Sequence, residues 1–369
     1  MPAETTAYEA PMRRALELAL NGPAYGVNPQ VGAVLINDNF EIIAEGWHMG
    51  AGTDHAEVSA LKALAAKGIS PVGLTAVVTL EPCNHTGRTG PCAIALVEAG
   101  VAKVVFAVAD PGVASANGAD TLRAAGIEVV TGVLADEAEE QGRVWLTANR
   151  LRRPFVSLKW AASLDGRSAA EDGTSKWISG PESRADTHLR RSQVDAILVG
   201  TRTVLADDPE LTARKTTGEL YDHQPLRVIL GETKIEGNYR VFNDVAETVH
   251  YETRSIHGAL AELWARGVRH VWVEGGPKVA SKFAKLGLFD ELLVYQAPML
   301  IGGDRTSMRN IGVETMSEAI HLEFKEVRTL GKDIFIRAVP VSGRKPATPA
   351  TNPAETPPVA LTATPQEAN

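Results

Sequence analysis

Short apolar segments alternate with helical patterns along most of this 369-residue chain. From Pro11 to about Arg150, apolar runs with the composition of buried strands are separated by segments whose apolar residues have helical spacing. The same alternation resumes at Pro154 and continues to about Val341, where two final strands joined at Gly331 are predicted to form an antiparallel edge. Helices are predicted at the segments MRRALELAL, HAEVSALKALAAKG, PCAIALVEAG, SRADTHLRRS and PKVASKFAKLG, and near Asp136–Asn149. Because parallel strands need a helical crossover between them, this alternation predicts an α/β fold with helices packed on sheets.

The chain is predicted to contain two folded units and a tail. Its length is typical of about two domains, and we place them at residues 1–150 and 151–341, joined near Arg150–Arg153. Six of the 21 prolines, and no aromatic residue, lie from Val341 onward. Such an Ala/Thr/Pro-rich segment cannot bury a core, so residues 342–369 are expected to be disordered.

Composition and charge exclude several classes of protein. Apolar residues make up 44% of the chain and charged residues 22%, which is typical of globular proteins and not of disordered or disulfide-rich ones. The net charge is −8 and the sequence has no long Lys/Arg block, so nucleic-acid binding is not expected. No apolar run approaches the ~20 residues of a membrane-spanning helix, and the acidic start does not resemble a signal peptide. We therefore expect a cytoplasmic protein without membrane or nucleic-acid partners.

Four residues form the strongest chemical motif in the sequence. His55 and Glu57 make an H-x-E motif at the predicted start of a helix, and the only two cysteines, Cys83 and Cys92, each follow a proline. A zinc ion that activates water takes three protein ligands and keeps one position open. One imidazole and two thiolates would supply the three ligands, which leaves Glu57 as an unligated carboxylate beside the metal. This arrangement is typical of zinc nucleobase deaminases, in which the glutamate shuttles protons.

The spacing of the cysteines leaves an alternative open. Eight residues separate Cys83 from Cys92, whereas the usual deaminase motif has two. Glycines and a proline make this insertion a predicted loop, which could return the second thiol to the metal. Alternatively, both cysteines are small buried side chains and His55 is an ordinary core or surface histidine.

The segment TLEPCNHTGRTGPC, taken with the run Asn28–Gly32 and the HAE motif, resembles the deaminase domain of the bifunctional riboflavin-biosynthesis deaminase/reductase family, which carries the same eight-residue insertion. The resemblance implies a cytidine-deaminase-like, three-layer α/β/α domain. It implies that zinc is bound by His55, Cys83 and Cys92, with Glu57 as the proton shuttle. The residues implied to contact the pyrimidine and its ribose phosphate are Asn28, His48, His85 and Arg88.

The second unit lacks a standard dinucleotide-binding fingerprint. No G-x-G-x-x-G follows a strand in residues 151–341. The run Gly275–Pro277 instead joins a predicted strand to a helix whose N-terminus could attract a phosphate, although most such turns are only tight connections. Arg191 and Arg214 flank an Asp-Asp-Pro turn, and guanidinium groups pair with phosphates bidentately. Both arginines could equally be solvated surface cations.

This unit resembles the family's reductase domain nearly end to end, through the motifs SLDGR, SKWISG and TVLADDP. The resemblance implies a dihydrofolate-reductase-like α/β fold that uses NADPH. Carried over by position, the residues implied to contact the cofactor are Ala161, Trp177, Thr203, Asp207 and Gly276. Those implied to contact the substrate are Lys159, Ser175, Arg191, Leu211, Arg214 and Glu274.

The resemblance also implies two successive reactions of riboflavin biosynthesis on a phosphorylated pyrimidine. Hydrolytic deamination of 2,5-diamino-6-(5-phosphoribosylamino)pyrimidin-4-one would precede NADPH-dependent reduction of the ribosyl group to a ribityl chain. A homo-oligomer is expected.

The residues alone leave two alternatives to this function. One is a nucleoside, nucleotide or tRNA deaminase with an unrelated second domain, and the acidic charge argues against the tRNA version. The other is a zinc-stabilised binding protein without catalysis. A fourth protein ligand on the metal would support that second alternative, because a closed site cannot activate water.

Overall fold

A computed structural model describes residues 3–85, 90–113 and 115–341. The predictions for Arg88 and for the tail at 342–369 therefore lie outside the described residues. The described helices are α1 (Ala3–Thr6), α2 (Glu9–Ala19), α3 (Ala56–Ala66), α4 (Cys92–Ala99), α5 (Gly118–Ala124), α6 (Ala135–Leu151), α7 (Pro181–Arg191), α8 (Thr201–Asp207), α9 (Ile256–Ala265) and α10 (Pro277–Leu286). In this part of the chain, no helix is long and apolar enough to cross a membrane.

Five strands form the first sheet, in the order β2-β1-β3-β4-β5. They are β1 (Gly32–Ile36), β2 (Ile42–Trp47), β3 (Thr75–Leu80), β4 (Lys103–Val108) and β5 (Glu128–Thr131). Strand β1 is antiparallel to β2 and β3, whereas β3, β4 and β5 are parallel. The β1–β2 turn is stabilised by Asn37, whose side-chain oxygen accepts hydrogen bonds from the N–H groups of Asn39 and Glu41.

Helices cover both faces of this sheet. Helices α2 and α6 pack on one face through residues such as Met12 and Leu146. Helices α3, α4 and α5 pack on the other through Leu64, Leu96 and Leu122, all fully buried. The first half is therefore a three-layer α/β/α unit, as predicted. Since β3 and β4 are parallel, their carboxyl ends lie at the same edge of the sheet, close to the N-termini of α3 and α4.

The second half is built on an eight-stranded sheet with the order β12-β13-β11-β6-β10-β7-β8-β9. Its strands are β6 (Phe155–Ser163), β7 (Ala196–Gly200), β8 (Leu226–Leu230), β9 (Thr248–Tyr251), β10 (His270–Val273), β11 (Glu291–Ala297), β12 (Leu322–Leu330) and β13 (Asp333–Pro340). All neighbours pair in parallel except at the β13 end. There the two strands predicted to join at Gly331 form an antiparallel hairpin, and β13 is antiparallel to β11.

Two apolar layers lie on the faces of this larger sheet. One contains Leu260 of α9 and Phe283 of α10. The other contains Val204 of α8 and the aromatic side chains of Trp272, Tyr295 and Phe335. This mixed α/β unit follows the predicted fold class, and it places the carboxyl ends of β7 and β10 side by side.

Candidate active sites

In the first half, one strand end and two helix N-termini converge. His55 immediately precedes α3, Cys83 follows the end of β3, and Cys92 is the first residue of α4. The Nδ1 atom of His55 lies 3.5 Å from Cys83 Sγ and 3.2 Å from Cys92 Sγ. The ligand atoms of all three side chains lie within 4.8 Å of one another. The structure thus brings together the three residues predicted to bind a metal.

The chemistry of this donor set fits zinc. Tetrahedral bonds of about 2.1 Å to nitrogen and about 2.3 Å to sulfur place those two atoms about 3.5 Å apart, close to the distances from His55. Within residues 3–85, 90–113 and 115–341, no fourth metal-binding side chain joins the group. Three protein ligands are typical of catalytic zinc sites and not of closed structural ones.

Hydrogen bonds and burial set the protonation of this cluster. The hydrogen bond with Cys92 lowers the pKa of the Cys83 thiol to about 4, and the same interaction, together with burial, raises the pKa of Cys92. Cys83 is thus the more acidic of the two thiols. Glu57 is 5% exposed, and burial raises the pKa of its carboxyl group. A carboxyl group with a raised pKa takes up a proton more readily than an exposed one, which suits a role in proton transfer.

A cavity of about 230 Å³ opens beside the cluster and is lined by three residues predicted to bind substrate, Asn28, His48 and His85. His48 donates a hydrogen bond from Nδ1 to the carbonyl of Asp54 (3.0 Å), so its Nε2 accepts one from the Asn28 amide (2.9 Å). Burial lowers the pKa of His48, which favours this neutral form. The Nδ1 atom of His85 is buried and has no hydrogen-bond partner among the described residues, so it is available to a ligand.

Three cavity residues were missed by the sequence analysis: Glu81, Asp110 and Trp145. Glu81 accepts hydrogen bonds from the N–H groups of Asp110 and Ala119 and so connects the loops after β3 and β4. Burial raises the pKa of Asp110. Asp110 could have been predicted from the sequence. It is an acidic residue at the end of a strand parallel to β3, and such a position lies near Cys83. Trp145 comes from α6 and had no local motif.

The second half contains a buried charge cluster. Arg191 donates two hydrogen bonds to the Glu274 carboxylate, at 2.6 and 2.7 Å, and Lys159 Nζ lies 3.8 Å from the same group. Burial alone would raise the pKa of Glu274, but the charges of Arg191 and Lys159 outweigh burial and lower it. Burial lowers the pKa of Lys159. Three residues predicted to contact the substrate therefore form one site.

A cavity of about 380 Å³ opens where β10 leads into α10. Thr203 and Gly276, both predicted cofactor contacts, line it. The preceding Gly275 is required sterically, since a Cβ atom there would lie 2.5 Å from Val279 Cβ. Five cationic residues also line the cavity: Arg202, Arg254, Lys278, Lys282 and Arg309. Such a lining suits a ligand with several phosphate groups.

The other predicted reductase-site residues lie outside the lining of this cavity. Trp177 is 67% exposed, with the Arg184 guanidinium 4.6 Å from its ring centre. The Arg214 side chain forms an ion pair with Glu210, and the backbone N–H of Arg214 donates a hydrogen bond to the His188 ring. The remaining members range from buried to exposed: Leu211 is buried, Ala161 and Ser175 are partly buried, and Asp207 is exposed at the end of α8.

Family models match both halves of the chain. Residues 5–108 match the model of the cytidine and deoxycytidylate deaminase zinc-binding region, and residues 154–336 match that of the RibD C-terminal domain. Riboflavin biosynthesis protein RibD of Mycobacterium tuberculosis is 46% identical over 312 residues, which cover 84% of this chain and 91% of that protein. The chain belongs to the RibD family.

Two solved RibD-type structures share the fold over their whole length. Acinetobacter baumannii RibD superposes with a TM-score of 0.83 at 34% identity, covering 92% of this chain and 100% of its own. The Thermotoga maritima diaminohydroxyphosphoribosylaminopyrimidine deaminase/5-amino-6-(5-phosphoribosylamino)uracil reductase gives the same values. Membership of the RibD family makes this chain a bifunctional enzyme of riboflavin biosynthesis, with a zinc-dependent deaminase activity and an NADPH-dependent reductase activity.

Proposed function

We propose that the first half hydrolytically deaminates 2,5-diamino-6-(5-phosphoribosylamino)pyrimidin-4-one. The second half then reduces the ribosyl group of the product, 5-amino-6-(5-phosphoribosylamino)uracil, to ribityl phosphate. The observation that carries the proposal is the three-ligand His55–Cys83–Cys92 group with Glu57 in the wall of the adjoining cavity. The name of the Thermotoga maritima relative specifies the same two substrates.

Each residue of the first site is assigned a role in deamination. Zinc, when bound, activates a water molecule for attack on the amino-bearing carbon. Glu57 would accept the proton released by the attacking water and would deliver it to the departing amino group, which leaves as ammonia. Asn28 and His48 are already joined by a hydrogen bond and together contact the pyrimidine, while His85 offers its unpartnered Nδ1 atom. Arg88, outside the described residues, is proposed to pair with the ribose phosphate.

The residues of the second half are assigned to the reduction. NADPH supplies the hydride when bound, and its proposed contacts are Ala161, Trp177, Thr203, Asp207 and Gly276. The cationic cavity lined by Thr203 and Gly276 suits its phosphate groups. Lys159, Arg191 and Glu274 form a fixed buried cluster that orients the substrate, and its other proposed contacts are Ser175, Leu211 and Arg214.

Ammonia release and NADPH oxidation test both assignments in the purified protein. The diaminopyrimidine phosphate with NADPH should give both signals, and a zinc chelator should stop the first. With the deaminated substrate, NADPH oxidation should survive chelation, since the Lys159–Arg191–Glu274 cluster belongs to the second half and not to the zinc site. Failure to release ammonia from this substrate would refute the proposed deamination.

The Glu57→Gln variant tests the proton shuttle directly. Gln has nearly the same shape but cannot carry the proton, so ammonia release should fall by a factor on the order of 10² to 10⁴. Zinc content and NADPH oxidation with the deaminated substrate should match those of the unaltered enzyme. Deamination by this variant at a near-normal rate would remove Glu57 from the mechanism.

We further propose domain limits at residues 1–150 and 151–341, a cytoplasmic location and a homo-oligomeric state. The oligomer is supported by the edge strand β12, on which Phe324 and Val327 are 68% and 58% exposed. Apolar groups on an unpaired strand edge favour association with another chain. Light scattering should give a multiple of the chain mass, and Phe324→Glu should shift the enzyme toward the monomer. A wild-type monomer would refute this part.

A further inference from the structure

The segment 20–31, which connects α2 to β1, carries Asn28 into the deaminase cavity without any regular secondary structure of its own. Its position therefore depends on contacts with the surrounding elements. One contact comes from the first half, where the indole N–H of Trp145 donates a hydrogen bond to the carbonyl of Val27 (2.9 Å). Further contacts to this segment, at Tyr25 and Gly26, come from the reductase half.

Asp195, between α7 and β7, binds the segment through its carboxylate. Its Oδ1 atom accepts a hydrogen bond from the N–H of Gly26, two residues before Asn28. Its Oδ2 atom accepts hydrogen bonds from the backbone N–H groups of Arg269 and His270, both at 2.8 Å. Because three backbone donors fix this carboxylate, Asp195 holds Gly26 at a defined place against the second sheet.

His223 makes a second contact of the same kind. Its ring is stacked on that of Tyr25, with the ring centroids 3.5 Å apart and the planes 6° apart. The His223 ring is itself oriented by the hydrogen bond that its Nε2–H donates to the carbonyl of Val194 (2.9 Å). Tyr25 and Gly26 are thus anchored at one point of the reductase half, beside Asp195.

We infer that Asp195 and His223 of the reductase half are positioning residues for deamination, because they hold the segment that presents Asn28 to the deaminase substrate. Asn28 in turn donates to His48, whose other nitrogen is engaged by Asp54. Loss of the Asp195 contact should let Asn28 move while the zinc ligands, which lie just before α3, just after β3 and at the start of α4, stay in place. This inference rests on the proposed contact between Asn28 and the deaminase substrate.

Kinetics of the full-length Asp195→Ala variant test the inference. We expect its KM for the diaminopyrimidine phosphate to rise about tenfold, as for loss of one charged hydrogen bond. Its kcat for ammonia release, its zinc content and its reduction of the deaminated substrate should stay close to those of the unaltered enzyme. Glu247→Gln is the matched control, since this 67% exposed carboxylate of the same half pairs only with Arg266 among the described ion pairs. It should leave both activities unchanged.

A double-variant comparison separates positioning from general loss of structure. If Asp195 acts through Asn28, Asp195→Ala should have little further effect on KM in an Asn28→Ala background. Full additivity, or an unchanged KM in Asp195→Ala, would overturn the inference. If Asp195→Ala also loses reduction of the deaminated substrate, the His223→Ala variant provides the test instead. A raised deaminase KM with normal reduction in His223→Ala would support the inference, and an unchanged KM would refute it. Wild-type enzyme that releases no ammonia would instead refute the proposed function.

Discussion

At the scale of single residues, the Arg191–Glu274 pair shows why residue identity matters in the reductase half. The two parallel hydrogen bonds need the planar fork of a guanidinium, which lysine lacks. We expect Arg191→Lys to lower kcat/KM for NADPH-dependent reduction about tenfold to a hundredfold. Ammonia release should be unaffected. Arg266→Lys, which alters an exposed pair with Glu247, is the control and should leave reduction normal. Equal losses in both variants would contradict the assignment.

His188 gives the protein a stability that depends on pH. Burial, with the charge of Arg191, lowers the pKa of His188 to about 4, against an ordinary value of 6.5. Between these two pH values the unfolded chain binds a proton at His188 and the folded chain does not. Stability therefore falls as the pH drops from 6.5 toward 4. His188→Gln should lose less stability than the unaltered protein between pH 7 and pH 5 in urea titrations. Parallel losses in the two proteins would contradict this origin.

At the scale of helices and strands, the predictions were best where apolar periodicity was strong. The central strands and helices α2, α3, α4, α6, α7 and α10 lie where the pattern placed them. The sequence analysis missed α1, β5, α5, α8, β9 and α9. Strands β5 and β9 have only four residues each and are not fully buried, so their apolar signal is weak. Helix α5 begins directly after a glycine-containing loop and has seven residues.

The site was predictable only where a motif fixed the chemistry. His55, Glu57 and both cysteines were predicted from residue type, because zinc chemistry permits few donor sets. The eight-residue spacing alone left an alternative open, and the family resemblance favoured zinc. Trp145 of α6 reaches the deaminase cavity through tertiary packing, and Asp195 of the other half contacts Gly26 in the segment that carries Asn28. No local pattern marks such residues, since their role depends on where a distant segment lies.

The packing of α5 against the loop before Cys83 leads to a prediction about zinc. A Cβ atom on Gly118 would lie 1.8 Å from the carbonyl oxygen of Pro82. Gly118→Ala must therefore displace α5 or the Pro82–Cys83 backbone, and we expect zinc affinity to fall about tenfold or more. Gly90→Ala is the matched control, because a Cβ atom there meets nothing within 4 Å among the described residues. Competition with a chromogenic chelator measures both, and equal affinities would contradict the prediction.

At the scale of the whole molecule, a charge network connects the two halves. Arg337 of β13 pairs with Glu140 of α6, and Arg143 of α6 lies 3.4 Å from Glu291 of β11. Arg337 also lies 3.7 Å from Glu291, which is only 2% exposed. Together with the Asp195 and His223 contacts, these pairs give the deaminase half a fixed surface on the reductase half.

Substitution of Arg337 tests how much this network contributes to the free energy of unfolding. Among the described ion pairs, Arg337→Gln leaves the buried Glu291 with Arg143 as its partner. We therefore expect a loss of roughly 3 kcal/mol in unfolding free energy, the lower end for breaking a buried pair. Arg13→Gln is the matched control. It removes an exposed pair between Arg13 of α2 and Glu137 of α6, the helix that also carries Glu140, and it should cost about 0 to 1 kcal/mol. Urea unfolding followed by tryptophan fluorescence compares the variants. Equal midpoints for the two variants would show that these charges do not hold the halves together.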